Sequence, residues 1–128
     1  YGETDDFAHD GRYDHYLEAA RRTDQFISEL WDFVQSDPQY RGKTTFIITT
    51  DHGRGTDPLD TWRSHGEDVE GADEVWLAIM GPDTPAQRGT ALQGQYYTTQ
   101  VAPTLAAFLQ ATYQPDRESG VVLKKALR

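Results

Sequence analysis

No cysteine occurs anywhere in the 128 residues. Disulfides, thiolate metal sites and a cysteine nucleophile are therefore excluded, and the redox compartment is left open. Positive charge is scarce, since 12 Lys and Arg stand against 21 Asp and Glu, for a net charge of −9. A surface of that sign repels polyanions, so neither nucleic acid nor an anionic membrane is an expected partner. No apolar run approaches transmembrane length, and no repeat, low-complexity tract or linker divides the chain. No leader pattern is seen either, although the chain opens at Tyr1 and not at Met. Tyr1-Gly2-Glu3-Thr4 reads like the end of a strand entering a loop, as in a segment of a longer protein.

What is present points to a folded domain. The hydrophobic fraction is 37%, with three Trp and seven Tyr, and the length suits one domain with a real core. The organising stretch is Thr45-Phe46-Ile47-Ile48-Thr49-Thr50-Asp51-His52-Gly53. Its continuous apolar run, with β-branched neighbours, predicts a strand covered on both faces of a parallel sheet. Open α/β sheets place ligands at the carboxyl ends of their strands. A carboxylate and an imidazole side by side there can share one cation, while Gly53 turns the backbone away. A plain polar turn after a strand is the other reading.

Before that strand, Asp5 and His9 are four residues apart, so in a helix they lie on one face and can meet one ion. The alternative role for Asp5 or Asp6 is to cap the helix that follows. That helix is expected over 11–36. Tyr13, Tyr16, Leu17, Ala20, Thr23, Ile27, Leu30, Trp31 and Val34 form its apolar stripe, and Asp37-Pro38 ends it. His15 has no local partner for chemistry and reads as a surface or packing residue.

Beyond Gly53, Arg54 to Gly71 is a long polar loop of the kind that carries function, and it holds Ser64-His65-Gly66. A second buried strand is expected at 75–80, then a loop from Asp83 to Gly94. Thr98 or Thr99 then caps a helix that carries Pro103 in its first turn and faces the sheet with Leu105, Ala106, Phe108 and Leu109. Val121 to Leu123 are a candidate edge strand.

Three segments thus present histidine beside carboxylate or glycine: Asp5/His9, Asp51/His52 and His65. In an α/β pattern without cysteine they suggest a His/carboxylate site for one or two divalent ions. At this point the sequence resembles the alkaline phosphatase superfamily. Glu3-Thr4-Asp5-Asp6-Phe7-Ala8-His9 is similar to its Asp-x-x-x-His segment, and Thr50-Asp51-His52-Gly53 to its Asp-His-Gly segment. Ser64-His65-Gly66 looks like its final His-Gly ligand, and Thr99-Gln100-Val101-Ala102-Pro103-Thr104-Leu105 like the helix that usually follows. The likeness runs in order from about Gly2 to Leu109.

The resemblance implies an α/β fold, with a mixed or mostly parallel sheet flanked by helices, of which this chain is the C-terminal portion. It implies that Asp5, His9 and His65 bind one metal and that Asp51 and His52 bind a second. Zinc is the first expectation, with manganese and calcium as other members' choices. It further implies hydrolysis of a phosphate or sulfate ester, as in phosphatases, phosphodiesterases or sulfatases, in the periplasm or outside the cell. The family's Ser or Thr nucleophile precedes the first metal segment, so it is expected in an N-terminal half not represented here. Arg54 is either a contact to a non-bridging oxygen or a surface loop arginine, and Trp62 either a pocket wall or a loop anchor. The competing class is a non-catalytic metal-binding, structural or interaction domain of the same fold.

Overall fold

Acidic residues open the first helix, α1 (Glu3–His9), where Glu3, Asp5 and Asp6 occupy the turn that carries the positive end of the helix dipole. The computed structural model describes residues 2–87, Gly89 and residues 91–128. The helix start at Glu3 corrects the expected strand end there; Tyr1, the first residue of that stretch, lies outside the described residues. Asp6 lies inside α1, so it does not cap the next helix, whose preceding residue is Arg12. The chain forms two compact units, one reaching to Arg41 and including Thr50–Trp76, the other made of Gly42–Thr49 and Leu77–Arg128.

In the first unit α1 packs on the long helix α2 (Tyr13–Ser36). Ala8 is fully buried, and an exposed Arg22–Glu3 ion pair of 2.7 Å joins the two helices. The buried stripe of α2 is set by Ala19 and Val34, with Tyr16, Leu17, Thr23, Ile27 and Trp31 half-buried along the same helix. It lies one residue away from the expected line at Ala20, which is exposed, and Leu30 and Tyr13 are exposed as well. A period near 3.6 allows either alanine, and packing on α1 selects Ala19. Asp37 takes extended geometry before Pro38 and stops the helix, as the sequence predicts.

In the second unit, β1 (Phe46–Thr49) and β2 (Leu77–Met80) form a two-stranded antiparallel ribbon. Phe46 pairs with Met80, Ile47 with Ile79, Ile48 with Ala78 and Thr49 with Leu77. Both apolar runs are strands of one sheet, but this pair is antiparallel, and the residues of β1 are half-buried or exposed rather than covered on both faces. A parallel return needs a crossover, usually helical. The chain between β1 and β2 offers only a 3-10 turn at Leu59–Arg63.

A 3-10 turn (Thr98–Gln100), capped by Tyr97, leads into α3 (Val101–Phe108), whose own capping position is taken by Gln100 in place of Thr98 or Thr99. The expected loop precedes it, with Arg88 and Thr90 outside the described residues. Pro103 and Thr104 are the buried residues of α3, whereas Leu105 and Leu109 are exposed. Val121 to Leu123 form no strand because their polar groups are engaged elsewhere. The Val121 carbonyl accepts from Gln100 at 3.0 Å, and the buried Leu123 N–H donates to the Thr104 hydroxyl at 2.9 Å.

Thr104 donates in turn to the Gln100 carbonyl at 2.6 Å, so one buried hydroxyl joins α3 to the C-terminal segment. Thr104→Val keeps the shape and orphans the Leu123 N–H, at a cost of about 2 kcal/mol in urea unfolding, whereas Thr104→Ser should lose well under half of that. Equal losses would refute the bridging role. No helix among the described residues is long and apolar enough to cross a membrane.

Candidate metal centre

Asp5 and His9 are one turn apart on α1, and the helix brings Asp5 Oδ1 to 3.4 Å from His9 Nε2. The Arg63 guanidinium donates to the His9 carbonyl at 3.2 Å, which ties the loop before His65 to the end of α1. His65 itself arrives through backbone pairing within the loop. Gly55 N–H donates to the Ser64 carbonyl at 3.1 Å, Thr56 N–H to Glu70 at 3.0 Å and Gly53 N–H to Ala72 at 2.7 Å. These bonds lay the segment after His52 beside the segment around His65. The two rings consequently stack, with centroids 3.8 Å apart and an interplanar angle of 16°.

The outcome is a convergence on one oxygen. Asp5 Oδ1 lies 3.5 Å from His65 Nε2 and 3.7 Å from His52 Nε2. His9 Nε2 and His65 Nε2 are 3.2 Å apart. Asp5, His9 and His65 therefore form a triangle with edges of 3.4, 3.5 and 3.2 Å. Ligands at 2.0–2.1 Å around a tetrahedral zinc ion stand roughly 3.3–3.4 Å from one another. Asp5, His52 and His65 make an overlapping group whose ligand atoms all lie within 4.8 Å of each other.

The tautomer of His52 suits a ligand. Its Nδ1 lies 2.8 Å from the Gly53 carbonyl, which can only accept, so Nδ1 carries a proton and Nε2 is the nitrogen left to face Asp5 and serve as the ligand atom. Such an outer hydrogen bond is the usual device for aiming a metal-binding imidazole. Acceptor atoms crowded this closely repel one another unless a proton or a cation lies among them. The donor set, one carboxylate and three imidazoles, suits zinc or another transition ion better than calcium.

Asp51 stands apart. Its side chain is 92% exposed, with Oδ1 3.9 Å from His52 Nε2 and 3.1 Å from the His52 N–H. Asp51 and His52 are near enough to share an ion, but His52 also reaches the Asp5 group, so the expected division into two separate ligand sets is blurred at His52.

Arg54 is neither a surface loop residue nor turned out toward a substrate. Its Nη2 donates to Asp5 Oδ1 in an ion pair, its side chain is only 17% exposed, and its Nη1 is buried without a hydrogen-bond partner. Burial pushes the Asp5 carboxyl up, but the bond from Arg54 and its charge, with help from His9 and His65, outweigh this and hold it below the usual carboxylate range. Trp62 packs edge-on against Tyr13 and Tyr16, with centroids 5.3 and 5.9 Å away, and so anchors the loop on α2. His15 is engaged by Arg12 at 2.7 Å and by the Phe7 ring, a packing role. Sequence reasoning missed Arg63; a cation two residues before His65 was its only signal, because the helix end it binds lies 54 residues earlier.

A cavity of about 620 Å³ opens onto His52 and His65, with Glu67, Asp68, Glu70 and Asp73 around it. That lining attracts cations toward the histidines. No family model, curated protein or solved structure matches this chain. The likeness to the alkaline phosphatase superfamily thus rests on the ordered segments themselves.

Proposed function

We propose that the chain carries the metal-binding part of an alkaline phosphatase-type α/β hydrolase that acts on phosphate or sulfate esters. The observation that supports this most is the Asp5–His9–His65 triangle, whose edges suit one tetrahedral ion with a position left for an outside ligand. Asp5, His9 and His65 hold the first ion, zinc by preference. His52 and Asp51 lean toward a second. Ions so placed supply charge for an ester's oxygens and lower the pKa of an attacking hydroxyl. Asp5 contributes the anionic ligand, kept ionised by its neighbours, and His52 is held in the coordinating tautomer by Gly53.

Neither Thr4 nor Ser64, the hydroxyls beside Asp5 and His65, suits the role of nucleophile. Thr4 precedes Asp5 in α1, about 100° away around the helix. Ser64 is extended, with φ −128° and ψ 159°, so its side chain and that of His65 point to opposite sides. With zinc present, the chain is expected to bind inorganic phosphate or sulfate, yet to turn over an aryl phosphate, a phosphodiester or an aryl sulfate only in traces. Calorimetric titration and a chromogenic ester assay measure the two. Failure to bind either anion in the zinc-loaded state would reject the ester-hydrolase reading. Rapid turnover removed by Ser64→Ala would overturn the assignment of Ser64.

One observation favours the rival class, a non-catalytic structural or interaction domain. Arg54 already neutralises Asp5, so the cluster is charge-compensated from within. On that reading zinc neither binds tightly nor recruits an anion.

A further inference from the structure

The ion pair that favours the rival reading has a different meaning if the cluster does bind an ion. Asp5 Oδ1 is the one atom on which everything converges, with the Nε2 atoms of His9, His52 and His65 between 3.4 and 3.7 Å away. Arg54 donates to that same oxygen. A guanidinium thus stands where a cation interacts best with the carboxylate. A divalent ion and a guanidinium sharing one carboxylate oxygen repel each other, because they stand well within the screening length of salt. The site cannot hold both at full strength.

Position in the chain makes the exchange local. Arg54 follows His52 by two residues, and the backbone on either side of it is pinned by the bonds from Gly53 to Ala72 and from Gly55 to Ser64. The side chain can therefore leave Asp5 without dismantling the loop that positions His52 and His65. It has little to hold it beyond Asp5, since its buried Nη1 has no hydrogen-bond partner.

Resting on the ion-binding reading above, we infer that Arg54 is a built-in counter-ion that occupies the cation's place beside Asp5 and is displaced when a divalent ion binds. Arg54 is then a regulator of ion affinity and not a ligand. It keeps Asp5 ionised and oriented in the ion-free protein, and it makes the site demand an ion strong enough to expel it. A weakly bound monovalent cation does not meet that demand.

The test is the zinc dissociation constant, from competition with a chromophoric chelator at fixed pH and salt, for the whole chain and its variants. Arg54→Met should bind zinc about tenfold more tightly than wild type, equivalent to roughly 1.4 kcal/mol. In an Asp5→Asn background, where there is no charge to compete for, Arg54→Met should change the affinity less than twofold. Zinc binding to wild type, with equal or weaker binding to Arg54→Met, overturns the inference while leaving the metal site standing. A merely structural or orienting Arg54 gives that weaker binding. No zinc binding by any of the proteins removes the metal reading and this inference with it. Thermal unfolding in chelator shows which variants are folded. Should Arg54→Met fail to fold, Arg54→Gln removes the charge while retaining a polar end, and it is expected to tighten binding at least threefold. No tightening in that variant overturns the inference equally.

Discussion

Zinc at a hundredfold excess over its dissociation constant should raise the thermal midpoint of this chain by roughly 10 °C, and His65→Ala should abolish most of that rise. Binding to the folded state alone at that excess adds about 2.7 kcal/mol, and a chain of this size gains on the order of 4 °C per kcal/mol. His65 is the decisive residue because it belongs to both overlapping groups, 3.2 Å from His9 and 3.5 Å from Asp5 while stacked on His52. His9→Ala and His52→Ala each remove a ligand from one group and should keep part of the rise. Scanning calorimetry with and without a chelator measures it. The same rise in wild type and His65→Ala would show that zinc binds elsewhere.

The other large effect concerns Gly53. A β-carbon at this position would fall on the carbonyl oxygens of Gly71 and Glu74, which are main-chain atoms unable to swing aside. The Gly53 N–H also donates to Ala72 at 2.7 Å, so any retreat breaks a bond that aligns His52 with His65. Gly53→Ala should therefore cost about 3 kcal/mol, from overpacking together with the lost hydrogen bond, and weaken zinc binding. Gly42→Ala is the control. Its φ is +69° and its new methyl would meet nothing within 4 Å, so only backbone strain of about 1 kcal/mol applies. Urea unfolding midpoints compare the two. A Gly53→Ala loss no greater than that of Gly42→Ala would mean that the loop gives way freely at this point.

Much of the site was legible because its signals are local. The spacing of Asp5 and His9 needs only one helical turn to become a 3.4 Å approach. The long helix follows from its period, and its end from Asp37-Pro38. The rest depends on distant partners. Which of Ala19 and Ala20 is buried is decided by α1, beyond the reach of periodicity. Phe46-Ile47-Ile48 reads as a strand covered on both faces because a continuous apolar run carries no record of which neighbour it will have. Its antiparallel partner is set by a long return without a helix. Asp51 looks equivalent to His52 in sequence, yet its carboxylate turns outward while His52 turns in. Arg54 could be classed only by its own loop, since its partner lies 49 residues earlier.

The division into two units has an optical consequence. Trp31, Trp62 and Trp76 all fall in the unit that contains the histidine cluster, and the unit of the ribbon and α3 contains no tryptophan. Indole emission excited at the red edge of the absorption band therefore arises from one unit alone. Trp62, wedged edge-on against Tyr13 and Tyr16, is the indole whose surroundings change when the loop leaves α2. The ribbon unit is silent in that channel, and its near-ultraviolet signal comes from Tyr96, Tyr97 and Tyr113 and not from an indole. The chain thus carries its own spectroscopic partition, with the indole colour confined to the unit of the cluster.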